Sequence, residues 1–213
     1  HAPPNRVTWG QLTSGWDIGR LREATEGQDP PHFTLATWNV RWLVSPHTSA
    51  SVAKRAVLVR ALLAGRVIMI QETHWTQDTA AVWEALLPMA TVLHSPARPG
   101  PNGGPQGGVT TLVPKSMEVL SSRVLVDGCA IEVILADPGD GDPVAVWNVY
   151  LPPDSRREIL DLLTECEAPD RLYVAGDVNV CVEAPRRAEE EADAAVLLGA
   201  LSGAGTVVVN KEG

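Results

Sequence analysis

Between Gly107 and Pro152 four strand candidates follow one another with little but turns between them: "GGVTTLVP", "MEVLSSRVLV", "CAIEVILAD" and, after the "PGDGDP" turn, "VAVWNVYLP". Strands in direct series pair as hairpins, so this stretch predicts an antiparallel or mixed sheet. Upstream, strands alternate with helices. "FTLATWNV" reads as a strand and "SVAKRAVLVRALLAG" as a helix, with Val52, Val59 and Leu63 on its apolar stripe, Lys54 and Arg55 off it, and Gly65 as the C′ stop. "VIMIQE" has the short apolar run of a buried strand, "TAAVWEALLP" reads as a helix stopped by Pro88, and "ATVLHS" as a strand. Downstream, "DSRREILDLLTECEA" is an amphipathic helix with Asp154 as its N-cap, and "RLYVAGD" is a strand. "EEEADAAVLLGALSGAG" is a last helix, acidic at its start as the helix dipole favours, and "TVVVN" opens one more strand. Together these predict an α/β layered domain with mixed sheets.

The size of the chain fits one such domain. With 213 residues, 45% hydrophobic and 20% charged, it can bury one sizeable core but not two generous ones. Residues 1–31, rich in Pro, Gly and charge with Trp9 and Trp16 as apolar anchors, read as an N-terminal arm that docks on something else; 32–213 read as the domain. The net charge is −9 and unevenly spread, with 8 basic and 5 acidic residues in 1–75 against 9 and 21 in 76–213. A dominant electrostatic grip on nucleic acid would show as a basic face, and no basic helix or finger for sequence readout is visible. Cys129, Cys166 and Cys181 are odd in number and lack Cys-x-x-Cys spacing, so they predict neither a disulfide framework nor a zinc site. They suit free thiols in an intracellular, reducing compartment. No apolar run reaches the roughly 18 residues of a spanning helix.

The chemistry is expected where strands end. Asn39 leaves "TWNV", Glu72 leaves "IMIQET", Asp177 and Asn179 leave "AGDVNV", and Asn148 and Tyr150 leave "VWNVYLPP". Open α/β proteins place their sites at such strand ends. Convergence of these ends gathers two carboxylates, several carboxamides and a phenol, hard oxygen ligands that suit Mg²⁺ shared with a phosphate. Taken singly, each has an ordinary structural use: Asn39 as a turn former, Asp177 and Asn179 as a capping pair, Tyr150 as a half-buried core aromatic. The Pro- and Gly-rich stretch from Ser95 to Gly107 reads as a long loop of the kind that carries function or moves.

Five segments in order, "TWNVRW", "IMIQETHW", "GGVTTLVP", "VWNVYLPP" and "VAGDVNV", resemble the exonuclease, endonuclease and phosphatase superfamily of metal-dependent phosphodiesterases. The resemblance runs from about Phe33 to Val209 and is closest to the apurinic endonuclease-like domains of non-LTR retroelements. It implies a four-layer sandwich, two mixed sheets face to face with helices outside, and a site at one edge of the sheets. It further implies Mg²⁺ or Mn²⁺ held mainly by Glu72 with support from Asn39. Asp177 would activate the attacking water, Asn179 would fix that water and the phosphate, and Tyr150 would contact the phosphate or leaving group. Gln71 and His74 flank the metal ligand, with His74 expected at the surface or behind the ligands.

Two departures from the superfamily pattern accompany the resemblance. Pro153 stands where an Asn often follows Tyr-x-Pro in nucleic-acid members, and it offers neither a side-chain donor nor an N–H. The superfamily's C-terminal Ser-Asp-His does not occur in the 33 residues after "GDVNV". The resulting expectation is a fold whose last strands are missing, leaving an open sheet edge: the tail lies outside this stretch, is supplied by another chain, or has been lost with a protein partner now covering the edge. Two main functions follow: a Mg²⁺-dependent endonuclease-like phosphodiesterase acting on DNA or another phosphodiester, or a degenerate member of the fold serving as an accessory subunit. A phosphatase acting on a lipid or small phosphoester is the third reading.

Overall fold

The computed structural model describes residues 33–100, 103–137, 139, 141–179, 192 and 195. The expected arm, the strand at "TVVVN" and Cys181 lie outside the described residues, as does the helix expected near 189–205 except for Ala192 and Ala195, which are helical. The first half of the description runs β1 (Thr34–Asn39), α1 (Ser49–Leu63), β2 (Arg66–Gln71), α2 (Gln77–Leu86) and β3 (Ala90–Ser95). A short ribbon follows, β4 (Arg98–Pro99) paired with β5 (Pro105–Gln106), inside the stretch expected to be loop throughout. The serial strands are β6 (Val109–Pro114), β7 (Val119–Val126), β8 (Ala130–Leu135) and β9 (Val144–Tyr150), and the description closes with α3 (Arg156–Thr164) and β10 (Leu172–Asp177).

Both four-stranded sheets are mixed. In the order β1-β2-β6-β3, β1 and β2 are parallel and the rest antiparallel; in the order β10-β9-β8-β7, β10 and β9 are parallel and the rest antiparallel. The sheets face each other across a core that joins Leu35, Val67, Met69 and Val113 of one to Val133, Val144, Val146 and Ala175 of the other. The first sheet's outer face packs on α1 and α2 through Leu58, Leu62, Trp75, Trp83 and Ile70. The second sheet's outer face packs on α3 through Ile159, Leu160, Leu163, Trp147 and Val174. Helix, sheet, sheet, helix is the expected layering. Among the described residues no helix is long and apolar enough to cross a membrane.

Two details of the helices differ from expectation. In α1 the buried side chains are Ser51, Leu58, Ala61 and Leu62, while Val52 and Leu63 of the expected stripe are exposed. Apolar residues surround this helix on most sides, so periodicity alone did not single out the packed face. Thr48 caps it, its Oγ1 accepting from the Ser51 N–H at 3.1 Å, and Gly65 ends it in the left-handed region with φ +73°. Asp154 does not cap α3. A 3-10 turn over Pro153–Ser155 precedes the helix, whose flanking residue Ser155 makes no side-chain cap bond and instead accepts from Arg98 Nη2 at 3.1 Å.

Candidate active site

The two parallel pairs, β1 with β2 and β9 with β10, end at the same edge of the sandwich. Their registers set Asn39 opposite Gln71 and Asp177 opposite Tyr150. Strand alternation then fixes which side chains meet between the sheets. Leu35, Thr37 and Asn39 share one face of β1; Val144, Val146, Asn148 and Tyr150 share one face of β9; Tyr173, Ala175 and Asp177 share one face of β10. Each series begins in the apolar inter-sheet core and ends in a polar side chain at its mouth.

At the mouth, Asn39 Nδ2 donates to Glu72 Oε1 at 2.8 Å and to Asp177 Oδ2 at 2.5 Å, while its Oδ1 accepts from the Arg41 N–H at 3.0 Å. Tyr150 is buried and hydrogen-bonds the Glu72 carboxylate. Asn179 closes a tight turn on Asp177, its N–H donating to Asp177 Oδ1 at 3.1 Å and its Nδ2 to Leu151 O at 3.0 Å. Arg156 Nη1 donates to Asn179 O at 2.8 Å, which ties α3 to the same turn.

A polar layer separates this mouth from the apolar core. Gln71 Nε2 donates to Asn148 Oδ1 at 2.7 Å and to Thr37 Oγ1 at 3.0 Å. Asn148 Nδ2 donates to Ile70 O at 3.2 Å and to Thr110 O at 2.9 Å, so one side chain of β9 bonds the backbone of β2 and β6 in the other sheet. Asn148 is fully buried and therefore braces the sheets beneath the cluster rather than lining it, contrary to its expected place among the site groups.

The backbone at this edge is unusual. Among the described residues, the non-glycine positions with left-handed φ are Arg41, Trp42, Glu72, His74 and Asn179, all of them in or beside the cluster. Such conformations cost of order 1–3 kcal/mol each and persist where the surroundings over-determine them. Glu72, at φ +54°, directly follows Gln71, whose side chain already occupies the inter-sheet face; the turn brings the next carboxylate onto Asn39 as well. The bonds Val40 N–H to Gln71 O (3.0 Å), Trp42 N–H to Glu72 O (2.9 Å) and Leu43 N–H to Thr73 O (3.2 Å) hold the two exits side by side. Gly176 permits the close approach of β9 and β10, since a Cβ there would fall 1.7 Å from Val149 O.

Burial is the main cause, and the Glu72 carboxylate the next, that push the Tyr150 phenol well above the usual tyrosine range. It keeps its proton and acts as a donor. Burial also pushes the Cys129 thiol up to about 11, so it is neither a nucleophile nor a thiolate ligand near neutral pH. Among the described residues no three His, Cys, Asp or Glu side chains form a metal cluster. The donor set at the mouth, two carboxylates sharing one amide donor, nevertheless fits a hard cation such as Mg²⁺, which binds through one or two carboxylates and keeps water for the remaining positions.

The structure thus brings Asn39, Glu72, Tyr150, Asp177 and Asn179 together. Gln71 lies beneath the cluster, and His74 lies beside it at the surface, its Nδ1 donating to Pro105 O at 2.7 Å. Sequence reasoning missed the bracing roles of Thr37 and Asn148. The available signal was the polar residue two positions before each site residue, Thr37 before Asn39 and Asn148 before Tyr150, on a face that is otherwise apolar.

A two-sheet α/β sandwich with paired carboxylates at the mouth of its inter-sheet core is the class that fold and site define. The profile of the Endonuclease/Exonuclease/phosphatase family matches residues 36–206, and the chain belongs to that family. No curated protein matches it. Solved structures sharing the fold include the AP endonuclease LMAP from Leishmania major, 16% identical with a TM-score of 0.55, covering 80% of this chain and 66% of that one. The endonuclease domain of TRAS1, a telomere-specific non-LTR retrotransposon, is 17% identical with a TM-score of 0.55, covering 82% of this chain and 72% of that one. An AP endonuclease from Archaeoglobus fulgidus is 16% identical with a TM-score of 0.54, covering 78% and 70%. The present chain therefore spans just under two thirds of the Leishmania enzyme's length.

Proposed function

We propose that the chain is a divalent-metal-dependent phosphodiesterase that hydrolyses a nucleic-acid phosphodiester, in the manner of an endonuclease domain. The observation that carries this reading is the single amide of Asn39 shared by the carboxylates of Glu72 and Asp177 at the sandwich mouth. Glu72 and Asp177 lie within the span of one hydrated cation, with Glu72 as the principal ligand. When bound, Mg²⁺ or Mn²⁺ would supply charge neutralisation on the phosphate and on the leaving oxygen.

The protein's own groups divide the remaining work. Asp177, held by Asn39 and by the Asn179 N–H, accepts a proton from the attacking water as that water's oxygen bonds to phosphorus and the bond to the leaving oxygen breaks. Tyr150, protonated across the working pH range, donates a hydrogen bond to the phosphate or the leaving oxygen. Asn39 and Asn179 position these groups. Arg156, anchored to Asn179 O, and Arg98, anchored to Ser155, bring positive charge to the rim of an otherwise acidic chain.

Pro153 favours a second reading, a member of the fold that has lost its grip on phosphate and serves as an accessory subunit. It opens the 3-10 turn and offers there neither a side-chain donor nor an N–H. Nicking of supercoiled plasmid, intact or carrying an abasic site, separates the two. The enzyme reading expects nicking that appears with Mg²⁺ or Mn²⁺ and disappears in EDTA; the accessory reading expects none.

A further inference from the structure

Trp42 is an indole held outward at the edge of the cluster. It is 55% exposed, whereas its neighbours Val40 and Leu43 are buried. The chain adopts two successive left-handed residues to present it, Arg41 at φ +43° and Trp42 at φ +81°. Three bonds fix that conformation. The Trp42 N–H donates to Glu72 O at 2.9 Å, and Lys54 Nζ donates to Val40 O at 2.6 Å and to Trp42 O at 3.1 Å. The indole lies beside the His74 ring, centroids 4.8 Å apart and planes inclined by 40°. His74 is itself left-handed, at φ +57°, and is pinned from the other side by its N–H to Gly107 O at 3.0 Å and by Nδ1 to Pro105 O.

An exposed tryptophan adds little to the core, and strained backbone is retained where something else depends on it. Here what depends on it is a rigid pair of rings whose backbone is bonded to that of Glu72, with the exposed Arg41 in the same turn. We infer that Trp42 and His74 form a stacking platform for an unpaired nucleobase next to the scissile phosphodiester, so that the preferred substrate is a single-stranded or locally melted nucleic acid. This rests on the phosphodiesterase reading for the position of the phosphate. Stacking on aromatic rings tolerates any base, which agrees with a sequence that shows no basic helix or finger for readout.

The test is binding in EDTA, where cleavage does not intervene. A labelled single-stranded oligonucleotide is compared, by fluorescence anisotropy, with the same sugar-phosphate backbone carrying tetrahydrofuran in place of every base. The 213-residue chain is expected to bind the base-bearing strand about tenfold more tightly. Trp42→Ala should abolish that preference and Trp42→Phe should restore most of it, with circular dichroism unchanged in both. Equal binding of the two strands by the parent chain, no binding of either, or a preference that survives Trp42→Ala would each overturn the platform; a protein partner or the N-terminal arm would then be the occupant to seek. Metal-dependent plasmid nicking without base preference would sink the platform and leave the phosphodiesterase reading standing. Base preference lost in Trp42→Ala, in a chain that never nicks, would support the platform and sink the phosphodiesterase.

Discussion

Gln71 and Asn148, 77 residues apart and on different sheets, share a fully buried hydrogen bond of 2.7 Å directly beneath the cluster. The bond locks the two sheets in the relative position that brings Asn39 onto Asp177. Replacing Asn148 with Ala would leave Ile70 O, Thr110 O and the Gln71 amide with fewer partners in a buried layer. The expected loss is about 3 kcal/mol of stability, together with activity lost well below the melting range. Urea unfolding set beside the nicking rate checks it: a variant as stable as the parent would show that the layer is not a brace.

Gly176 pairs with Val149 across the β9–β10 ladder. A Cβ would lie 1.7 Å from Val149 O, a contact that only backbone displacement can relieve. Gly176→Ala should therefore destabilise the chain by several kcal/mol and move the Asp177–Asn179 turn away from Asn39. Soluble expression and thermal unfolding read this directly; wild-type stability would mean that the strands can separate without cost.

The raised Tyr150 phenol predicts a pH dependence with a definite sign. The folded chain holds this proton above the unfolded value of about 10, so the stability it contributes is full below pH 10 and is lost as the pH rises beyond it. Tyr150→Phe should flatten the alkaline fall in stability. Denaturant titrations from about pH 9.5 to about pH 11.5 measure the slope, and an unchanged slope would mean that the phenol is not shielded.

Cys129 is fully buried, with its thiol pushed up to about 11. Alkylation near pH 8 should leave it unmodified in the native chain and label it after denaturation, as peptide mapping would reveal. Rapid native labelling would contradict the packing around β8.

Much of this arrangement was legible in the chain. Each strand of the two four-stranded sheets begins or ends within a few positions of its apolar run, because burial on one or both faces selects that pattern locally, whereas the two-residue ribbon of β4 and β5 carries no such run. The site residues were visible as polar endings of those runs, and their convergence came from the order of five segments that resemble a known superfamily. The packed face of α1 was not legible, since apolar residues line most of that helix. Nor was the cap of α3, where Pro152 and Pro153 impose a 3-10 turn that displaces Asp154. The left-handed exits at Glu72 and Trp42 arise from long-range bonds between two strand ends, and no local signal in "QETH" or "VRWL" announces them.

The most direct test sets the parent chain against Glu72→Ala in the nicking of supercoiled plasmid with Mg²⁺. The Glu72–Asn39–Asp177 cluster predicts metal-dependent nicking by the parent and a loss on the order of 100-fold or more in the variant, with folding retained. Equal nicking by both would contradict the assignment of the cluster as the site, and absence of nicking in both would contradict the chain's being a phosphodiesterase.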